Sequence, residues 1–280
     1  MNDGARRRQL ADFLRSRRGR LRPEDVGLPR PLRSRTPGLR RDDVAQLAGV
    51  SVSWYTWLEQ ARNIHVSPQT VMRLAGALRL DDTETTHVLG LARPERPSFV
   101  PTRPDAISPT LRRVIALQGG NPAYVLNERW DVLIWNQASH LLFGDFARDR
   151  FGESNALRFM FLDPLANERI CDWQRQAGRM AAQFRSACDH FAGDPAFELL
   201  ITDLRQGSSE FERAWATHDV MSPTVGRKDI SHPQLGHLRF EHSVFAVNED
   251  RRLRMVVYVP VEDQETACRM RRALARLPSP

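Results

Sequence analysis

Prolines decide the gross organisation of this chain. Residues 94, 97, 101 and 104 are all proline, and Pro109 follows shortly after. Each proline fixes its own φ, removes a backbone donor and restricts the residue before it, so neither a continuous helix nor a central strand can cross this stretch. Such a segment is a semi-rigid spacer, extended in part as polyproline II. It divides the 280 residues into an N-terminal domain, 1–93, a linker, 94–108, and a second domain, 109–275. Both domains are long enough to bury a core.

The two parts differ in charge. Residues 1–104 hold 19 Arg against 11 Asp or Glu, whereas residues 105–280 hold 22 Lys or Arg against 23 Asp or Glu, so the formal net charge of +7 resides in the first third. A localised basic excess beside a neutral remainder is the electrostatic pattern of a nucleic-acid-binding module joined to another domain. A basic arm that only aids solubility gives the same arithmetic. Lys228 is the only lysine, so part of the arginine count is compositional bias.

Within residues 1–93 the signals are helical. After an amphipathic stretch at 10–18 and a Pro/Gly/Arg-rich loop at 20–40, RDDVAQLA (41–48) places Val44, Leu47 and Ala48 on one face. Gly49 marks a tight turn, and Ser51 or Ser53 can cap a helix over 53–60 that buries Tyr55 and Leu58. A third helix is capped by Ser67 with Pro68 in its first turn, and a fourth starts near Asp82 with Thr86, Leu89 and Leu91 inward. Two short helices about a glycine turn, the second exposing small and polar groups, have the geometry of helix-turn-helix DNA recognition. A helical bundle without DNA-binding function fits the same spacing.

The segment DDVAQLAGVSVSWYTWLEQARNIHVSPQTVMRLAGALRL resembles the phage repressor-like helix-turn-helix group, in particular the MmyB-like bacterial regulators. The resemblance implies that Arg41 contacts backbone phosphate, that Val52, Ser53 and Trp57 face base edges with Thr56 on the flank, and that Arg62 makes a further phosphate contact. Val44, Ala45, Val50, Tyr55 and Leu58 match the packed interior, and Glu59 the family's acidic position. Ala61 stands where the family usually has glycine, so a left-handed cap there is strained, shifted or absent. Val52 and Trp57 offer mainly apolar contacts, and Ser53 adaptable hydrogen bonding.

Residues 109–275 read as α+β. Helices are expected at 109–118, from Asn136 to about Phe143, at 170–191, at 195–204 and at 208–215; strands at 123–126, 132–135, 226–230, 237–247 and 252–259. The terminal hairpins form one antiparallel sheet with helices inserted between them. This region too resembles the MmyB-like regulators, through YVLNERWDVLIWNQASHLLFGDF, NALRFMFLDP, DWQRQAGRMAAQFR, SSEFERAWATHDV and GRKDISHPQLGHLRF. The resemblance implies a PAS-like sensor for a small apolar, fatty-acyl-like ligand. Tyr124, Trp135, Arg158, Phe159, Trp173, Phe184, Trp215, His218 and Phe245 are the candidate lining residues, with Asn155 and Arg175 as further polar anchors.

No catalytic motif accompanies these features. His218, His232, His237 and His242 have no metal-ligand spacing, and His237 and His242 fall on opposite faces of a strand. There is no GxSxG elbow or phosphate loop, and Cys171, Cys188 and Cys268 lie far apart without a CxxC pair. Neither metal nor cofactor is expected. The longest apolar runs are too short for a membrane helix, and a cytoplasmic location is expected. The reading is a homodimeric, ligand-responsive regulator that binds double-stranded DNA; a sensor or scaffold using the helix-turn-helix for protein contacts is the alternative.

Overall fold

The computed structural model describes residues 3–29, 38–92, 99–144, 154–188, 191–221, 226–261 and 264–277. Residues 94–98 of the proline linker lie outside the described residues; after them, Arg103 holds φ −84°, ψ 151°, in the polyproline II region. The chain forms two compact units. The first comprises residues 1–99 with 182–202 and 214–222, and the second 100–181, 203–213 and 223–280.

Five helices build the frame of the first unit: α1 (Asp3–Arg20), α2 (Arg41–Ala48), α3 (Val52–Glu59), α4 (Pro68–Ala77) and α5 (Asp82–Ala92). Local chemistry fixes their ends. Asp43 Oδ2 accepts the Arg40 N–H (2.6 Å) at the start of α2, while Ser51 and Ser67 hydroxyls accept from Trp54 and Thr70 N–H to cap α3 and α4. Gly49 ends α2 at φ 63°; a Cβ there would meet only Arg73 Nη1, at an ordinary 3.7 Å, so the left-handed backbone rather than crowding selects glycine. The core gathers Phe13, Leu14, Leu39, Val44, Ala45, Tyr55, Leu74, Val88 and Leu91. Two expected inward residues are corrected: Leu47 and Thr86 are exposed, because Ala45 and Val88, two residues away and so on the opposite side of each helix, take the buried positions.

The same unit takes in the end of α10 (Trp173–Cys188), most of α11 (Pro195–Gly207) and the end of α12 (Ser209–Ala216). Phe197 is stacked on Phe191 (4.7 Å between centroids) and Phe184 (6.0 Å), with Phe99 edge-on at 5.4 Å. Arg17 donates to Glu84 (2.6 Å) and to the His218 carbonyl (2.7 Å), and Arg20 to Asp219 (3.0 Å).

The second unit is a five-stranded antiparallel sheet with helices. Strands β1 (Ala123–Leu126), β2 (Val132–Trp135), β3 (Gly226–His232), β4 (Gly236–Ala246) and β5 (Arg254–Pro260) lie in the order β2-β1-β5-β4-β3. The first strand thus pairs with the last and joins the two hairpins. Helix α6 (Pro109–Ala116) covers one face, where Leu111 and Ile115 meet Ala123, Val125 and Val257. Tyr124, Trp135, Phe240, His242 and Tyr258 share the other face by register. Helices α7 (Gln137–Phe143), α8 (Ala156–Leu162) and α9 (Pro164–Arg169) follow β2, and α13 (Gln264–Leu274) packs on β4 and β5 with Met270 fully buried. The long helix starts at Trp173 rather than at residue 170: Ile170 is drawn into a bridge with Ile230, and Asp172 at φ 55° breaks the turn between them.

Candidate functional site

The exposed side of α3 carries the candidate base-reading residues. Val52 and Trp57 are 43% and 42% exposed, large apolar groups held in solvent; Ser53 is exposed and Thr56 half-buried beside them. Exposed apolar side chains on one short helix make a patch of the kind that marks contact surfaces. Arg62 is exposed and lies over the Trp57 ring at 5.8 Å, which steers the guanidinium to the rim of that face. Sequence reasoning missed a shallow depression beside it, lined by Val50, Ser51, Trp54, His65, Ser67 and Thr70, where the N-termini of α3 and α4 converge.

Behind α3 sits a buried acid. Glu59 is shielded from solvent and accepts from Arg18 Nε (2.6 Å), Arg18 Nη2 (3.1 Å) and Arg41 Nε (2.7 Å). Burial raises the pKa of this carboxyl, but the bonds from Arg18 and Arg41 outweigh it and hold the group below the usual glutamate range. Arg18 also donates to the Leu39 carbonyl (2.8 Å), tying α1 to the entry of α2. Arg41 is therefore a half-exposed cation oriented from behind by Glu59.

The cap after α3 is a Schellman motif. Ala61 N–H donates to Leu58 O and Arg62 N–H to Trp57 O, both at 3.0 Å, with Ala61 at φ 57°. Of the three outcomes open for a non-glycine here, the strained one holds. Ala61→Gly is expected to stabilise the first unit by about 0.5–1 kcal/mol, read as a higher urea midpoint at unchanged slope.

The nine candidate ligand residues fall in both units. Tyr124, Trp135, Arg158, Phe159 and Trp173 lie in the second unit, whereas Phe184, Trp215 and His218 belong to the first. Phe245, also in the second unit, pairs with Met255, so strand alternation puts it on the α6 face of the sheet, opposite Tyr124, and it is 49% exposed. On the Tyr124 face, Phe143 contacts Phe159 (5.8 Å) and Tyr258 (5.6 Å), while Phe161 meets Trp173 (6.5 Å) and Phe211 (5.0 Å). Trp173 Nε1 donates to Met160 O (2.9 Å).

The proposed polar anchors have other duties. Arg158 donates to Asp203 (2.6 Å), Asn155 Oδ1 caps α8 by accepting from Leu157 and Arg158 N–H, and the exposed Arg175 pairs with Asp172. His218 is a neutral imidazole in a cationic setting: burial first, then Arg185 and Arg17, pull its pKa down to about 4. Cys171, without a histidine near in sequence, has one in space. Its Sγ is 3.9 Å from His237 Nδ1, and His237 Nε2 is 3.9 Å from Asp229. Burial and Asp229 push this thiol's pKa up, the reverse of what a thiolate nucleophile requires. His237 and His242 pair with Ser231 and Tyr258 on opposite faces of the sheet. Among the described residues no three His, Cys, Asp or Glu side chains converge as a metal site, and no helix is long and apolar enough to cross a membrane.

Comparison with known families agrees with this geometry. Residues 107–274 match the MmyB-like transcription regulator ligand binding domain. The chain belongs to that family. Residues 9–88 match a helix-turn-helix domain, covering α2 to α4 and most of α1 and α5. No curated protein matches the chain. The regulator thus joins a DNA-binding domain to a ligand-sensing domain, and both matches are to regulatory modules rather than to an enzyme. The matched ligand-binding region includes 182–202 and 214–222, which pack within the first unit.

Proposed function

We propose that this regulator binds operator DNA as a homodimer and that an elongated apolar, fatty-acyl-like ligand in the second unit sets its affinity. The observation that carries the DNA part is the exposed Val52/Ser53/Thr56/Trp57 face of α3, flanked by Arg41 and Arg62. Arg41 and Arg62 hold phosphate; Val52, Trp57 and Thr56 meet thymine methyls and sugar; Ser53 bonds a base edge. Dimerisation follows because one small helical module buries little DNA surface, whereas two related by a twofold read a palindrome.

The ligand part rests on the aromatic face around Tyr124, Phe159, Trp173 and Tyr258. Each buried methylene contributes roughly 0.8 kcal/mol before ordering costs, so a chain of about ten carbons reaches micromolar affinity. The test is fluorescence titration of a duplex from the regulator's own promoter region at several salt concentrations, with and without dodecanoate. Arg41→Ala is expected to weaken binding alike on all sequences and to flatten the log–log salt slope by roughly one unit, whereas Trp57→Ala changes discrimination between operators. A wild-type protein with no duplex affinity at low salt removes the DNA reading and leaves protein recruitment as the role of α3.

A further inference from the structure

The chain's sole lysine lies on the aromatic face of the sheet. Lys228 is on β3 opposite Phe240, and Gly226 is opposite His242, which in turn pairs with Tyr258 on β5. Facing residues of an antiparallel pair share one side, so all five stand on the side that carries Tyr124. Lys228 Nζ is 5.7 Å from the centre of the Tyr258 ring, the Tyr258 and Tyr124 hydroxyls are 3.5 Å apart, and the His242 ring stacks on Tyr258 at 5.4 Å. A Cβ on Gly226 would sit 2.9 Å from His242 Cε1, so glycine leaves room for that imidazole.

The cluster is rich in donors and has no acid. Among the described residues Tyr124, and no carboxylate, is the titratable group that acts on Lys228, and His242 Nδ1 is buried without a hydrogen-bond partner. Burial pulls the lysine pKa below its ordinary value and, with the charge of Lys228, brings that of His242 down to about 4. Lys228 is half-buried, and an ammonium partly withdrawn from water beside aromatic rings favours a negative partner. Arg158, the cation singled out from sequence, already has Asp203.

We infer that Lys228, with the Tyr124 and Tyr258 hydroxyls and His242, binds the carboxylate of an acidic amphipathic ligand whose apolar chain runs over the aromatic face of the sheet. This rests on the apolar-ligand reading above and adds to it the head-group class and its site. The lysine supplies a charge-assisted bond, the tyrosines donate to the second oxygen, and the phenyl rings meet the first carbons of the chain.

The probes are dodecanoate and dodecanol, equal in chain length and different in charge, titrated calorimetrically into delipidated full-length protein. Wild type is expected to bind the acid about tenfold or more tightly than the alcohol, since a hydrogen-bonded charge pair contributes on this scale. Lys228→Met is expected to abolish that preference, lowering affinity for the acid about tenfold or more relative to the alcohol. A second measurement needs no variant: 13Cε-lysine labelling gives one side-chain resonance, expected to shift with dodecanoate and to stay in place with dodecanol. An acid preference that persists in Lys228→Met, or a resonance indifferent to the acid, overturns the head-group site while the apolar-ligand reading stands. If neither probe binds wild type, both fall.

Discussion

Glu59→Gln is expected to cost the first unit about 3 kcal/mol and most of its DNA affinity. Among the described residues Glu59 is the acid that pairs with both Arg18 and Arg41, and its own side chain is wholly buried. An amide of the same shape keeps the packing but leaves the Arg18 guanidinium, itself largely buried, without a counter-charge. The two losses have separate readouts. Stability falls because α1 and the entry to α2 are tied through Arg18; binding falls because Arg41 is no longer aimed. In Arg41→Ala the half-exposed cation is lost but the buried pair survives, so stability is expected to change little while affinity drops. Chemical denaturation and DNA titration of both variants separate the cases, and equal stability of Glu59→Gln and wild type would remove the hub from the account. The acid limb follows from the sign of the shift. A carboxyl whose folded pKa lies below its usual 4.5 contributes stability that is present above that value and is lost as pH falls through the folded pKa. Glu59→Gln therefore flattens the loss of stability below about pH 4.5.

Signals carried by neighbouring residues were legible in the sequence. Arg41–Ala48 is bounded by an acid at its third position and a glycine at its end, and the helix has those limits. The strands 123–126 and 132–135 stand at the expected residues because β-branched and aromatic side chains flank a polar turn. Helices α8 and α9 were not foreseen. All six residues from Ala156 to Phe161 are buried, so α8 has no polar side and hence no 3.6-residue stripe to read. Tertiary partners were equally hidden: the period of α10 marks Phe184 as inward without saying that its ring meets Phe197 in the first unit rather than the sheet. Lys228 stood out only by composition. Its meaning needs the register that brings it beside Tyr258, which depends on pairing between strands far apart in sequence.

Phe197→Ala is the other substitution with a large expected effect, about 3–5 kcal/mol, because it removes a buried ring stacked with Phe184 and Phe191 and set perpendicular to Phe99. Its interest lies in where the ring sits. Residues 182–202 belong to the region matched by the ligand-binding family, yet they pack within the unit that contains α1 to α5. Ligand binding regulates DNA affinity only if some element of the sensing domain has different energies in the two states of the DNA-binding domain. The Phe99, Phe184, Phe191 and Phe197 stack holds the end of α10 and part of α11, both within the ligand-binding match, inside the first unit. Loosening the stack is expected to leave ligand affinity within about threefold, since Lys228 and the sheet are untouched, but to erase the ligand's effect on DNA binding. Leu199→Ala, on the same helix but 64% exposed, is the control and should alter neither property. The measurement is the ratio of DNA affinities with and without ligand, taken at a temperature where calorimetry shows both variants folded. A Phe197→Ala protein that keeps the full wild-type ratio would mean that coupling runs through other residues.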